Sequence, residues 1–211
     1  FLVNTTNFST NPVSLTIKKG LFANSSSTFG SESYSFTIPD DITVPVVNGI
    51  AVFNNIDIYE GSFLTNNFTF NENDVKQKFI LPNSDIDTST ISVSVRGTQS
   101  STSSVKYNVN DSLVDVTSTS KVFFIQEIED QRYELIFGDG VFGQKLKDLN
   151  FIEVSYTKTN GPDGNGVSSF TYAGRIVDNN NNLVSSGISL LTANVSSQGG
   201  KDIESVDSIK N

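Results

Sequence analysis

The sequence predicts a mainly β protein: antiparallel, sandwich-like sheets joined by hairpins, with few short helices and an incipient helix at the C-terminus. Three observations carry this. Apolar and polar residues alternate with period two through many short segments, Asn, Asp, Gly and Ser punctuate them, and helical periodicity is scarce. In order, VSLTIK (Val13, Leu15, Ile17), SYSFTIP (Tyr34, Phe36, Ile38), ISVSVRG (Ile91, Val93, Val95), VKYNVN (Val105, Tyr107, Val109) and FIEVSYT (Ile152, Val154, Tyr156) each present one apolar face. Such a strand covers a core on one side and meets water on the other. Asn48-Gly49, between VPVV and IAVF, predicts a tight hairpin, because both turn positions need positive φ. Glu60-Gly61 predicts a second hairpin between NIDIY and SFLTNNF. Glu129-Asp130-Gln131 predicts a third, joining VFFIQEI to RYELIF with Tyr133, Leu135 and Phe137 inward. At the end, Asp202 can cap a helical turn that aligns Ile203, Val206 and Ile209.

Polar runs at 24–28, 99–104 and 178–182 read as exposed loops. Breaks near Asn73-Asp74 and at the Asn run of 179–182 divide the chain into three parts. These are an N-terminal β region (1–75), a β domain carrying a Gly-Asp-Gly turn (76–178) and a connector into a helical part (179–211). The chain opens at Phe1 and contains no Met, so it reads as a fragment of a longer product.

The chain of 211 residues has no Cys and no His. Disulfides, thiolate metal sites, Cys nucleophiles and imidazole bases are therefore excluded, leaving carboxylates, Lys, Tyr or a bound cation for any chemistry. A net charge of −9 with 14 scattered Lys and Arg disfavours a phosphate backbone or an anionic membrane as partner. No apolar run approaches the ~20 residues that span a bilayer.

The densest motif is Gly138-Asp139-Gly140 with Gly143 three residues on. Glycine-rich loops cradle phosphate when a helix N-terminus follows, but QKLKDLN leaves no room for one before Phe151. A tight turn in which Asp139 accepts backbone N–H bonds is the reading kept. The second motif, Asn160-Gly161-Pro162-Asp163-Gly164-Asn165-Gly166, is oxygen-rich and invites calcium. Yet Thr171 stands where an EF-type loop needs its final Glu, so it reads as a connection between strands. Asp40-Asp41, Asp85 with Asp87, and Glu127 with Glu129 and Asp130 could pair as acid and base, but acidic residues at strand ends more often protect edges. Asn-x-Ser/Thr matches such as Asn4, Asn24 and Asn194 are expected by chance in this composition. No catalytic, cofactor-binding or metal-binding residue is assigned. The residues singled out are the turn positions Gly138, Asp139, Gly140, Gly143, Gly161, Gly164 and Gly166.

The string YELIFGDGVFGQKL followed by FIEVSYTKTNGPDGNG resembles the phage baseplate J-like proteins and the T4-type baseplate wedge subunits. FILPNSDIDTSTISVSV and the strand from Ser120 to Phe124 are similar to the T4-type branch, and GGKDIESVDSIKN to its passage into a helical region. The resemblance implies a non-enzymatic structural protein of the virion tail, assembled in the host cytoplasm. Its partners would be other wedge subunits and a second copy of itself, with no cofactor, nucleic acid, membrane or small-molecule substrate. It also implies transmission of the shape change that precedes sheath contraction. The alternative is a bacterial surface or secreted β-sandwich binding calcium or glycans, suggested by the Asn, Ser, Thr and Asp richness.

Overall fold

The computed structural model describes residues 1–26, 32–112, 114–189 and 195–201. The fold is mainly β, with antiparallel sheets curled toward half-barrels and, among the described residues, no helix of seven residues or more. The helix expected from Asp202 lies outside the described residues. The chain forms two compact units, one from 1–63 with 159–211 and the other from 64–158. The polar runs at 73–74 and 179–182 are turns inside these units. What groups the chain this way is strand pairing over long sequence distances. Ser14–Ile17 pairs with Ile176–Asp178, and Leu2–Asn4 with Ile188–Ser189.

The unit 64–158 is built on a seven-stranded sheet. Its strands lie in the order Ser62–Thr69, Phe151–Lys158, Ile86–Arg96, Ser104–Val109, Val122–Ile128, Arg132–Phe137 and Phe79–Ile80. Alternation does what the sequence predicts in Ile86–Arg96, where Ile91, Val93 and Val95 are buried and Ser92, Ser94 and Arg96 are only half-buried. The hairpin at Glu129-Asp130-Gln131 forms with Ile128 opposite Arg132, and Asp130 and Gln131 take positive φ. Leu135 is buried, and Tyr133 and Phe137 pack against the same core. Phe137 meets Phe79 and Tyr107 edge-on at 5.3 and 5.8 Å, an arrangement that aligns ring edges with π faces.

Two expectations change in this unit, and one connection is of a kind the sequence did not specify. The junction between Ser104–Val109 and Val122–Ile128 is parallel, so the chain crosses over between them. Tyr107 alone enters the core from VKYNVN; Val105 and Val109 stay exposed beside it. Phe151–Lys158 is buried on both faces over part of its length, with Phe151, Ser155 and Thr157 covered as well as Ile152, Val154 and Tyr156. A bulge causes part of this. Between Asp87 and Ser92 the neighbouring strand loops out, and Thr90 Oγ1 accepts the Thr157 N–H at 2.9 Å in place of a ladder bond. Phe151 lies under the Arg96 guanidinium, 4.5 Å from the ring centre.

The other unit packs a seven-stranded sheet against a four-stranded one. Leu15, Ile17, Val3, Ala51 and Ile176 from the first meet Phe22, Ala23 and Ile38 from the second in one core. Asn48-Gly49 makes the predicted hairpin, with φ of 51° and 75° and Val47 opposite Ile50. Glu60-Gly61 does not. Tyr59–Glu60 pairs with Ser35–Ile38, whereas Ser62–Thr69 enters the other sheet, so Gly61 (φ 132°) is a corner between sheets. In VSLTIK the strand starts at Ser14, and Val13 remains exposed.

Candidate functional site

Gly138, Asp139, Gly140 and Gly143 come together in one knot at the end of Arg132–Phe137. Asp139 Oδ1 accepts the N–H groups of Val141 and Phe142, both at 2.8 Å. Those two bonds, Phe142 first, hold its carboxyl below the usual carboxylate range. Gly140 N–H donates to Gly143 O at 3.0 Å, and both glycines sit at positive φ, 95° and 89°. Gly138 is required by contact: a Cβ there would lie 2.2 Å from the Gly143 carbonyl carbon. The knot is tied to the crossover by Gly143 N–H to Thr117 O and Gln144 N–H to Ser120 O. Backbone amides here point at Asp139 and at other carbonyls, which leaves this loop without the outward amide cluster that an anion needs.

Gly161, Gly164 and Gly166 form the second knot. Pro162 lies in a short 3-10 turn, Gly161–Gly164, which starts with Gly161 at φ 67°. Glu60 organises its entrance: Oε2 accepts Thr159 Oγ1 and Asn160 N–H at 3.0 Å each, and Oε1 accepts Asn160 Nδ2 at 2.7 Å. Gly164 packs on this side chain so closely that a Cβ would meet Glu60 Cγ at 2.4 Å. A later segment closes the knot. Gly166 N–H donates to Ser197 O and Ser197 N–H to Val167 O, both at 2.8 Å, while Ser197 Oγ donates to Gly164 O. Asn165 then grips the peptide of Gly200 through two bonds, Gly200 N–H to Oδ1 at 3.0 Å and Nδ2 to Gly200 O at 2.9 Å. Glu60, Asn165, Ser197 and Gly200 were invisible as a group in the sequence, where they lie far apart. The only trace was the pair of glycine clusters at 161–166 and 199–200.

The Asn run is also a built turn. Asp178, buried in this unit, accepts Asn180 N–H and Asn182 N–H on Oδ1 and Asn182 Nδ2 on Oδ2. The Asn182 side-chain bond leads in holding its carboxyl below the usual range. Among the described residues no group of three or more Asp or Glu is placed to hold a metal ion. Members of the carboxylate pairs take local partners: Asp41 takes Lys18 Nζ and Lys19 N–H, Asp87 takes Ser89, and Asp130 takes Arg132 at 3.5 Å. An open cleft of about 480 Å³ beside the first knot is lined by Phe70, Phe79, Phe137, Gly138, Asp139, Lys145 and Leu146, among others. Its charged groups are engaged, Asp139 with two amides, Glu134 with Lys78 and Lys145 with Glu72.

Residues 63–163 match the family model for the third domain of bacteriophage baseplate wedge protein gp6. The match supports a phage baseplate wedge family. It spans just under half of the chain, coincides closely with the compact unit 64–158, and contains the first knot whole. It supports a structural role in the virion tail baseplate, together with other baseplate subunits. No curated protein matches the chain.

Proposed function

We propose that this chain is a structural module of a contractile-tail baseplate wedge of the T4 type. It acts by assembling with other wedge subunits and with a second copy of itself, and it passes on the change of baseplate shape that triggers contraction. The observation that carries this reading is the agreement between the family match at 63–163 and a unit that folds around its own core at 64–158. The two glycine knots support it: their carboxylates and amides are consumed in fixing turns, which suits a rigid strut better than a reacting site. In this reading Gly138, Asp139, Gly140, Gly143, Gly161, Gly164 and Gly166 set backbone direction and bind no ligand, and the protein is not an enzyme. Assembly takes place in the host cytoplasm before the virion is released.

The test mixes the purified chain with the other wedge subunits of its phage and follows mass by size-exclusion chromatography with light scattering. Entry into a wedge complex is the expected result. A chain that stays apart from every tail partner yet turns over a small substrate would overturn the proposal.

A further inference from the structure

Six strands lie at the edges of the three sheets among the described residues, and five of them are two or three residues long. The sixth, Ser62–Thr69, is eight residues long and carries no charge and no Pro. Proteins usually blunt an edge by making it short, charged, bulged or interrupted by Pro, because an open row of N–H and C=O groups invites another strand. This strand has none of those devices within the unit 64–158.

The direction of its open groups follows from its end. Phe70 N–H donates to Asn150 O and Phe70 O accepts from Leu149 N–H, so even-numbered residues turn their peptide groups toward the neighbouring strand Phe151–Lys158. Odd-numbered residues turn theirs outward. Thr69 O, one of these, is already taken by Gln77 Nε2 at 2.8 Å, which closes the far end and leaves Thr65 and Asn67 as the open pair. Their side chains are exposed, while Leu64, Asn66 and Phe68 lie half-buried on the opposite face, with Leu64 and Phe68 against the core.

We infer that this edge pairs antiparallel with the same edge of a second copy, about a twofold axis through Asn66. The sequence LTNNF is self-complementary in that register. Thr65 faces Asn67 of the second copy twice, giving two hydrogen-bonded pairs, and Asn66 faces Asn66. Leu64 faces Phe68, so the half-buried apolar residues of each copy extend the other's core margin. Two chains of net charge −9 then meet along an uncharged strand, which avoids opposing like charges across the ladder. Five residues a side bury less than the ~1,200 Å² of a stable interface, so the contact is weak alone and gains strength when a larger assembly holds the copies together. The inference rests on the homotypic part of the function proposed above and names the surface for it.

The absence of Cys makes the test direct. In a non-hydrogen-bonded antiparallel pair the facing Cα atoms lie ~4.5 Å apart, within the ~4.4–6.8 Å that a disulfide spans. Asn66→Cys should therefore cross-link on mild oxidation of a concentrated solution. It should do so about tenfold or more faster than Val75→Cys, an exposed control, because pairing raises the effective concentration of the thiols. Thr65→Cys and Asn67→Cys, which face each other's position and not their own, should be slower than Asn66→Cys. Adding Asn67→Lys to Asn66→Cys, an exposed change that charges the edge, should return the rate to the control. Equal rates at 65, 66, 67 and 75 would overturn the edge pairing. If that happens while the chain still enters wedge complexes, the baseplate reading stands without this surface. Cross-linking in a chain that enters no wedge complex would keep the edge and overturn that reading.

Discussion

Replacing Gly200 by Ala tests the closure of the second knot. A Cβ there would lie 2.2 Å from the Gly161 carbonyl oxygen and 3.1 Å from Asn165 Oδ1, and the first of these is backbone held in a positive-φ turn that cannot yield. The peptide at 200 must move away, and both Asn165 bonds go with it. Each neutral bond contributes about 0.5–1.5 kcal/mol net, so local opening of Ser197–Gly200 becomes easier by about 1–3 kcal/mol. At about 1.4 kcal/mol per factor of ten, the amide at position 200 should exchange with deuterium roughly 5–150-fold faster. Amides of the buried strands should keep their protection, because Ser197–Gly200 buries little apolar surface. Asn165→Leu removes the same two bonds without the clash and should give the same local pattern. Unchanged exchange at position 200 in both variants would refute the reasoning.

Asp139 and Asp178 have carboxyls held low by hydrogen bonds, so their contribution to stability is fully present above the unfolded carboxylate value and is lost as pH falls through the lower folded value. Asp139→Asn should therefore lower the melting temperature near neutrality and change it little in acid, where the carboxyl is protonated, so the acid limb of the profile flattens; an unchanged acid limb would contradict the geometry. Leu135→Ala, at a fully buried position, should cost about 2–5 kcal/mol in urea unfolding, and a loss under 1 kcal/mol would mean that the site collapses freely. Tyr156→Phe removes the 2.7 Å bond to Asn83 and should cost roughly 0.5–1.5 kcal/mol by the same measurement. Chelator should leave the melting temperature unmoved, since the oxygen-rich loops spend their oxygens on amides; a fall of several degrees would restore the calcium alternative.

Features set by neighbours in the chain were legible. Period-two alternation located Ile91, Val93 and Val95 on the core face, and Asn48-Gly49 declared its turn, because side-chain direction and φ are local properties. Features set by distant partners were not. Nothing near Glu60-Gly61 shows that the two strands flanking it belong to different sheets, and nothing in VKYNVN shows that its next neighbour runs parallel. Both depend on pairing whose sequence separation no window contains. The same limit hid the second knot: the glycines at 161–166 marked a turn, but that Glu60 opens it and Ser197 and Gly200 close it required the fold.

The carboxylates explain why an acidic chain yields turns where chemistry was conceivable. A general acid or base needs an oxygen free to reach a substrate and an environment that brings its pKa toward the working pH, which for a carboxyl means upward. For Asp139 and Asp178 the shifts run the other way. Asp139 and Asp178 are pulled down by amides they already hold, Asp87 accepts Ser89 N–H and Oγ, and both oxygens of Glu60 accept bonds from 159–160. Each of these groups replaces a missing backbone partner at a sharp change of direction, where a β protein has most unpaired N–H groups. The acidic residues thus fix the corners of the sheets, and the uncharged stretch at Leu64–Phe68 is where such protection is lacking. Stiff corners, with a long uncharged edge among the described residues, suit a component whose task is to hold position and to be joined.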